Sequence, residues 1–158
     1  MPFTIRDFEP SDFDTLWRID QKCFPPGIAY SRAELKLYMR RRGSFTLVAM
    51  DTTADAAAVA VAGFIVAEAD SRAHGHIITI DVVDAARRSG VGSKLLGAAE
   101  ARLRAAGCRS LQLETAVDNL SALSFYKRHA YSVIQTYPRY YANGVDALVL
   151  EKELESVS

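Results

Sequence analysis

Apolar residues recur along this chain with two periods. At two-residue spacing, or as short unbroken runs, they predict strands at 3–8, 45–50, 57–67, 77–83, 110–115, 131–136 and 145–152. At helical spacing they fall on Phe13, Leu16, Trp17 and Ile19, then on Leu35, Tyr38 and Met39. A third stripe, Val91, Leu95, Ala98, Ala99, Leu103 and Ala106, is the longest, and a fourth helix is predicted from Asn119 to about His129. Cap residues set the ends. Ser11-Asp12-Phe13-Asp14 opens the first helix, which should end near Lys22, and Ser31-Arg32-Ala33-Glu34 is a capping box for the second, ending at Gly43. Gly107 stands where a C-cap glycine belongs, and Asp118-Asn119 caps the fourth helix. Pro25-Pro26-Gly27 makes 24–30 an ordered loop, residues 52–55 form a small polar turn, and Asn143-Gly144 is a strong turn signal. The predicted order is β-α-α-β-β-β-α-β-α-β-β.

Composition narrows the picture. A length of 158 residues suits one domain over 1–158 with one well-buried core. Nineteen basic and 19 acidic residues cancel, which leaves no global electrostatic footprint for nucleic acid. Arg40-Arg41-Arg42 reads as a solvated helix end, where cations offset the dipole. Cys23 and Cys108 are far apart and fit a reducing, cytoplasmic setting without disulfides, Cys108 as a small packed residue. The N-terminus has no signal-peptide layout, and the longest apolar run, 56–67, is too short to span a bilayer, so no membrane role is expected. His74 and His76 lack a third ligand at metal spacing, so no metal is expected.

Candidate chemistry concentrates after the strand at 77–83. A short turn, Asp84 to Ser89, leads into Gly90-Val91-Gly92 and the long helix. Helix N-termini carry free N–H groups and positive potential, and the two glycines would let a phosphate approach them. Arg87 and Arg88 add charge beside them. The spacing is neither a P-loop nor the dinucleotide fingerprint. On the residues alone, a diphosphate site and a tightly packed strand–turn–helix joint both remain open. Glu114 ends its strand, where sites gather in such folds, yet by spacing alone it equally reads as a solvated edge carboxylate. Tyr126 shares a helix face with Asn119 and Leu123 and reads either as a proton donor or as a core tyrosine.

Three motifs decide between these readings by resemblance. Arg87-Arg88-Ser89-Gly90-Val91-Gly92 resembles the [RQ]-x-x-G-x-[GA] signature of GNAT acetyltransferases, set between the expected strand and helix. The segment from Leu113 to Tyr131 resembles L-E-V-x-x-x-N-x-x-A-x-x-L-Y-x-x-x-G-F of RimI-type protein N-terminal acetyltransferases, and Arg139 to Ala147 resembles their Y-Y-x-x-G-x-D-A loop. The likeness runs from about Phe3 to Leu150 and is dense from Ile77 onward. It implies an α+β, three-layer fold, with a mixed, mostly antiparallel sheet of about seven strands and four helices on both faces. It implies acetyl-CoA as co-substrate, with the diphosphate on Arg87, Arg88, Ser89, Gly90, Val91, Gly92 and Ser93 and the pantetheine arm along Ile80, Asp81 and Val82. It further implies Glu114 as general base, Asn119 as a CoA contact, and Tyr126 as general acid and CoA neighbour. Tyr140 and Tyr141 would bound a peptide entrance, with the loop ending at Tyr30 as the opposite wall. The implied acceptor is the N-terminal α-amino group of a protein or peptide, a ribosomal protein above others, for a cytoplasmic monomer or homodimer.

An α-amino group has a pKa near 8 and a lysine amine near 10.4, so freeing the lysine costs about 3 kcal/mol more at a given pH. Either acceptor gains from a base. The chain departs from the family pattern in two places. His129-Ala130 replaces Leu-Gly, which leaves an alanine in a capping position that glycine usually fills. Asp81 replaces a small or apolar strand residue, and a carboxylate there must be paired or face the site, where it would bind a substrate amine or act as the base in place of Glu114. The rival readings are a small-amine acetyltransferase acting on a polyamine or aminoglycoside, a non-catalytic acyl-CoA-binding module, and a domain for another nucleotide.

Overall fold

A computed structural model describes residues 3–52 and 60–154. Its elements are β1 (Phe3–Asp7), α1 (Phe13–Cys23), α2 (Arg32–Arg40), β2 (Ser44–Asp51), β3 (Ala60–Ala69), β4 (His74–Val82), α3 (Val91–Ala105), β5 (Ser110–Ala116), α4 (Leu120–Arg128), β6 (Ser132–Tyr137) and β7 (Ala147–Glu153). Among the described residues, the seven strands form one sheet in the order β1-β2-β3-β4-β5-β7-β6. The fold is α+β, as expected. The predicted start of β3 at 57–59 and most of the 52–55 turn lie outside the described residues.

Every neighbouring pair is antiparallel except β4 and β5, which the α3 crossover forces to run parallel. That ladder is short. It pairs His74 with Ser110, Gly75 with Leu111 and His76 with Gln112, after which the strands part while β4 continues to Val82 and β5 to Ala116. The gap between them is the main opening in the sheet. On its other edge β4 carries a bulge: Ala67 pairs with Ile77 and Val66 with Thr79, which leaves Ile78 as the extra residue. Before the bulge Ile77 packs on the α3 side, after it Ile80 and Val82 do, and Ile78 packs on the α1 side. Simple alternation through 77–83 misses this change of face.

The sheet separates two cores. One gathers Leu95, Leu96, Ala99 and Leu103 of α3 and Tyr126 of α4 against Ile65, Leu111, Leu113 and Leu150. The other gathers Phe13, Leu16 and Ile19 of α1 and Leu35 of α2 against Val48, Phe64 and Val66. Local signals explain most helix ends. Ser31 accepts from the Glu34 N–H at 3.1 Å and Glu34 accepts from the Ser31 N–H at 2.9 Å. Gly107 takes φ 92° while Cys108 N–H reaches Leu103 O, closing α3.

Two predicted ends move. Ser11 is not the cap of α1: a 3₁₀ turn over Pro10–Asp12 precedes it, and Asp12 instead accepts from Glu9 N–H and from Arg6 at 2.8 Å. The second helix ends at Arg40, short of Gly43, because Arg41 turns to extended backbone and pairs with Glu68 at 3.3 Å. Gly43 then serves the strand entry, where a Cβ would stand 2.3 Å from Ala69 O.

Candidate active site

The strand-to-helix joint comes first along the chain. After Val82 a 3₁₀ turn over Asp84–Ala86 leads to Arg88 at φ 64° and Gly90 at φ 88°. Ser89 Oγ donates to Ala86 O and braces the turn. Gly90 is the residue before α3, and a Cβ built on it meets nothing within 4 Å, so the approach to the first turn is open. The N–H groups of Val91, Gly92 and Ser93 have no intrahelical partner and sit at the positive end of the dipole. Gly92 has another use, since a Cβ there would lie 3.3 Å from the Phe125 ring. Ser93 Oγ lies 2.9 Å from His129 Nε2, which ties the two helices together and gives His129 a partner. Arg87 and Arg88 are exposed, with Arg87 Nε 3.3 Å from Asp84. Asn119 caps α4 by accepting from Ala122 N–H at 3.2 Å, which leaves its amide N–H groups to donate elsewhere.

Where β4 and β5 part, a polar cluster faces the α1–α2 side. Glu114 Oε2 lies 2.8 Å from His76 Nε2, and its Oε1 accepts from the Tyr140 hydroxyl at 3.1 Å. His76 Nδ1 is 3.7 Å from Glu68 on the next strand. Burial pulls the imidazole pKa down, but the hydrogen bond and charge of Glu114, with Glu68 behind, outweigh it and hold His76 above its ordinary value. Burial pushes Tyr140 up to about 12, with the charge and hydrogen bond of Glu114 acting the same way. Burial likewise raises Tyr141, aided by Tyr140 and Glu114, so both phenols stay protonated.

Tyr126 approaches from the α3 side. Its side chain is 6% exposed, and its ring packs edge-on to Phe125 and Tyr131. Burial raises its pKa most, with the charge of Asp81 and then Tyr141 adding to it, so the phenol stays protonated.

Two loops touch beside the Glu114 cluster. Ala142 N–H donates to Gly27 O at 3.2 Å, and a Cβ on Gly27 would stand 2.8 Å from Asn143 Cβ. Tyr140 stacks on Tyr137 and meets Tyr141 edge-on. Tyr30 Oη donates to Ile78 O at 3.2 Å, its backbone O accepts from Trp17 Nε1 and Gln21 Nε2, and burial raises its pKa.

Comparison with known proteins fixes the family. The model of the acetyltransferase (GNAT) family matches residues 13–131. The chain belongs to the GNAT family. N-alpha-acetyltransferase 30 of Schizosaccharomyces pombe is 30% identical over 122 residues, covering 75% of this chain and 77% of that protein. Ard1 from Thermoplasma volcanium superposes with a TM-score of 0.87 at 28% identity, covering 99% of this chain and 100% of that one. The ribosomal-protein-S18-alanine N-acetyltransferase from Escherichia coli shares the fold, with a TM-score of 0.82 at 19% identity over 99% and 97% of the two chains. This GNAT protein is an acetyl-CoA-dependent N-acetyltransferase.

Within the GNAT frame the structure places the predicted residues in three groups. Arg87 to Ser93 form the joint at α3, Glu114 with Tyr140 and Tyr141 form the polar cluster, and Tyr126 is buried in the core on the α3 side. Tyr30 reaches the β4 backbone at Ile78 O. Asp81 stands apart: its side chain is 1% exposed and turned towards α1, where it accepts from Thr79 Oγ1 at 2.5 Å and faces Asp20. It therefore offers no open acidic pocket to a substrate amine. His76 is the residue that sequence reasoning passed over, because it was tested only as a metal ligand. The parallel pairing of His76 with Gln112 sets Glu114 two residues further on, on the same face of the sheet. Cys108, 3% exposed and raised in pKa by burial, is a packed thiol, as expected. No helix among the described residues is long and apolar enough to cross a membrane.

Proposed function

We propose that this acetyltransferase acetylates the N-terminal α-amino group of a protein or peptide, with Glu114 and Tyr126 on opposite sides of the transfer. The observation that carries the reading is the Glu114 cluster at the open end of the sheet, beneath two loops that meet at Gly27 and Ala142. An acceptor threading between those loops arrives end-on at Glu114. Relatives named as N-alpha-acetyltransferases support the acceptor class. The motif resemblance to RimI-type enzymes over Leu113 to Tyr131 makes a ribosomal protein the acceptor to try first. The buried Asp81 argues against the polyamine and aminoglycoside reading.

Acetyl-CoA supplies the thioester and its diphosphate. In this reading the N–H groups of Val91, Gly92 and Ser93, the open Gly90 approach, Ser89 and the exposed Arg87 and Arg88 hold the diphosphate, with Asn119 alongside. The backbone of Ile80, Asp81 and Val82, beyond the last residues of β4 paired with β5, holds the pantetheine arm. Glu114, steadied by His76 and Tyr140, takes a proton from the ammonium, directly or through one water. Tyr126, kept protonated by burial, gives its hydroxyl proton to the departing sulfur. Tyr30, Tyr140 and Tyr141 line the acceptor path. The two free thiols fit a reducing, cytoplasmic compartment.

The test is CoA release across peptides with free N-termini differing in the first residue, the same peptides N-blocked but carrying lysine, and polyamines. Turnover confined to free N-termini is expected. Turnover confined to blocked lysine peptides or polyamines would overturn the acceptor class. Glu114→Gln and Tyr126→Phe should each lower kcat by roughly 10²–10⁴-fold. Normal turnover in both variants would remove these roles.

A further inference from the structure

A pair of buried acids lies behind the Tyr30 loop, and the reaction above does not use their carboxyls. Asp20, near the C-terminal end of α1, is 0% exposed, and Asp81 on β4 is 1% exposed. Each carboxyl has one oxygen accounted for. Asp20 Oδ2 accepts from Tyr30 N–H at 2.8 Å, and Asp81 Oδ1 accepts from Thr79 Oγ1. The other two oxygens, Asp20 Oδ1 and Asp81 Oδ2, are buried and meet no donor. The two carboxyls are each other's neighbour across the α1–β4 interface. Two facing carboxylates in such a place repel and are desolvated at once, whereas one proton between them satisfies both orphan oxygens.

We propose that Asp20 and Asp81 share one proton, and that this carboxyl pair is a positioning element holding the Tyr30 wall against β4. The connection runs through named contacts. The shared proton joins α1 to β4, Asp20 fixes the Tyr30 backbone, and the Tyr30 hydroxyl returns to β4 at Ile78 O, 3.2 Å away. Trp17 and Gln21 of α1 hold the Tyr30 carbonyl at 3.1 and 2.6 Å. The groups acting on the pair are Glu34 of α2, which bears on Asp20, and Cys23 of α1 and Tyr126 of α4, which lie within range of Asp81. Burial raises both carboxyls, Asp81 well above the carboxylate range; the hydrogen bond and then the charge of Asp20 raise Asp81 further, while the hydrogen bonds of Asp81 and the Tyr30 N–H pull Asp20 back down. Only the role in acceptor binding rests on the proposed function. The shared proton does not.

The proton is tested on the protein without substrate. A raised pair keeps a proton that the unfolded chain releases above about pH 4, so its stability contribution falls as pH rises towards the folded value. One retained proton changes the folding constant tenfold per pH unit. Between about pH 5 and 6, below the histidine range, the wild type should lose that tenfold relative to Asp81→Asn and to Asp20→Asn. In either variant the amide N–H replaces the shared proton. Identical pH slopes in the wild type and both variants would overturn the shared proton. The positioning role is tested by acceptor kinetics. Asp20→Ala should raise the peptide KM about tenfold with the acetyl-CoA KM unchanged, and Asp20→Asn should restore it. An unchanged peptide KM, or equal loss in both variants, would overturn the positioning role. A wrong acceptor class would show instead as no wild-type turnover of free N-terminal peptides, with the pH slope intact.

Discussion

At the scale of residues, the site depends on pairings between side chains distant in sequence. Glu114 would be an ordinary strand-end carboxylate but for His76 on the neighbouring strand and Tyr140 from the hairpin. The motif around Glu114 could be read from the sequence, because it lies within one continuous segment. His76 could not, because its role arises only from the parallel register. The same holds for Asp81: the sequence required a partner for it, but Asp20 sits on a different element. The His76–Glu114 contact makes a pH-dependent prediction. Because the folded histidine is raised above its ordinary value, its pairing stabilises in full below about pH 6.5 and is lost as pH rises through the folded value. His76→Gln should therefore cost more near pH 6 than near pH 9. The side chain is 35% exposed, so the difference is discounted for solvent screening, to on the order of 1 kcal/mol. Denaturant midpoints at the two pH values measure it, and equal costs would show a histidine neutral throughout.

At the scale of elements, signals contained in a few neighbouring residues proved readable. The capping box at Ser31, the Gly107 stop and the Asn119 cap all stand where the pattern put them. What failed were ends decided by tertiary contacts, such as Arg41 leaving α2 for Glu68, and the bulge at Ile78, which has no local marker. The end of α4 shows a local rule broken and tolerated. Tyr131 N–H reaches Tyr126 O at 3.0 Å and Ala130 N–H reaches Lys127 O at 3.2 Å, the pattern of a helix closed by a left-handed residue. Ala130 takes that role at φ 71°. A Cβ costs about 1–2 kcal/mol there, partly offset by the greater freedom of glycine in the unfolded chain. Ala130→Gly should thus raise stability by roughly 1 kcal/mol, read as a higher denaturant midpoint with an unchanged slope. A loss of stability would mean that the alanine methyl packs well enough to outweigh the strain.

At the scale of the whole molecule, the sheet opening and the two-loop wall act together. The β4–β5 ladder ends early, and the two loops meet beside the Glu114 cluster where the strands have parted. Those loops come from opposite ends of the chain, which is why their contact is invisible in the sequence although each loop was legible. Gly27 is the point of closest approach. It has φ 91° and no room for a side chain, since a Cβ would meet Asn143 Cβ at 2.8 Å and its backbone N at 2.9 Å. Gly27→Ala must part the loops or strain them, and a left-handed alanine adds about 1–2 kcal/mol. Because neither loop supplies the base, kcat should hold while the peptide KM rises several-fold. The wider mouth should also admit blocked lysine peptides that the wild type excludes. Parallel kinetics on free N-terminal and blocked lysine peptides measure both effects. If kcat fell with KM unchanged, the loops would be shaping the reacting geometry around Glu114 and Tyr140 rather than selecting what reaches it.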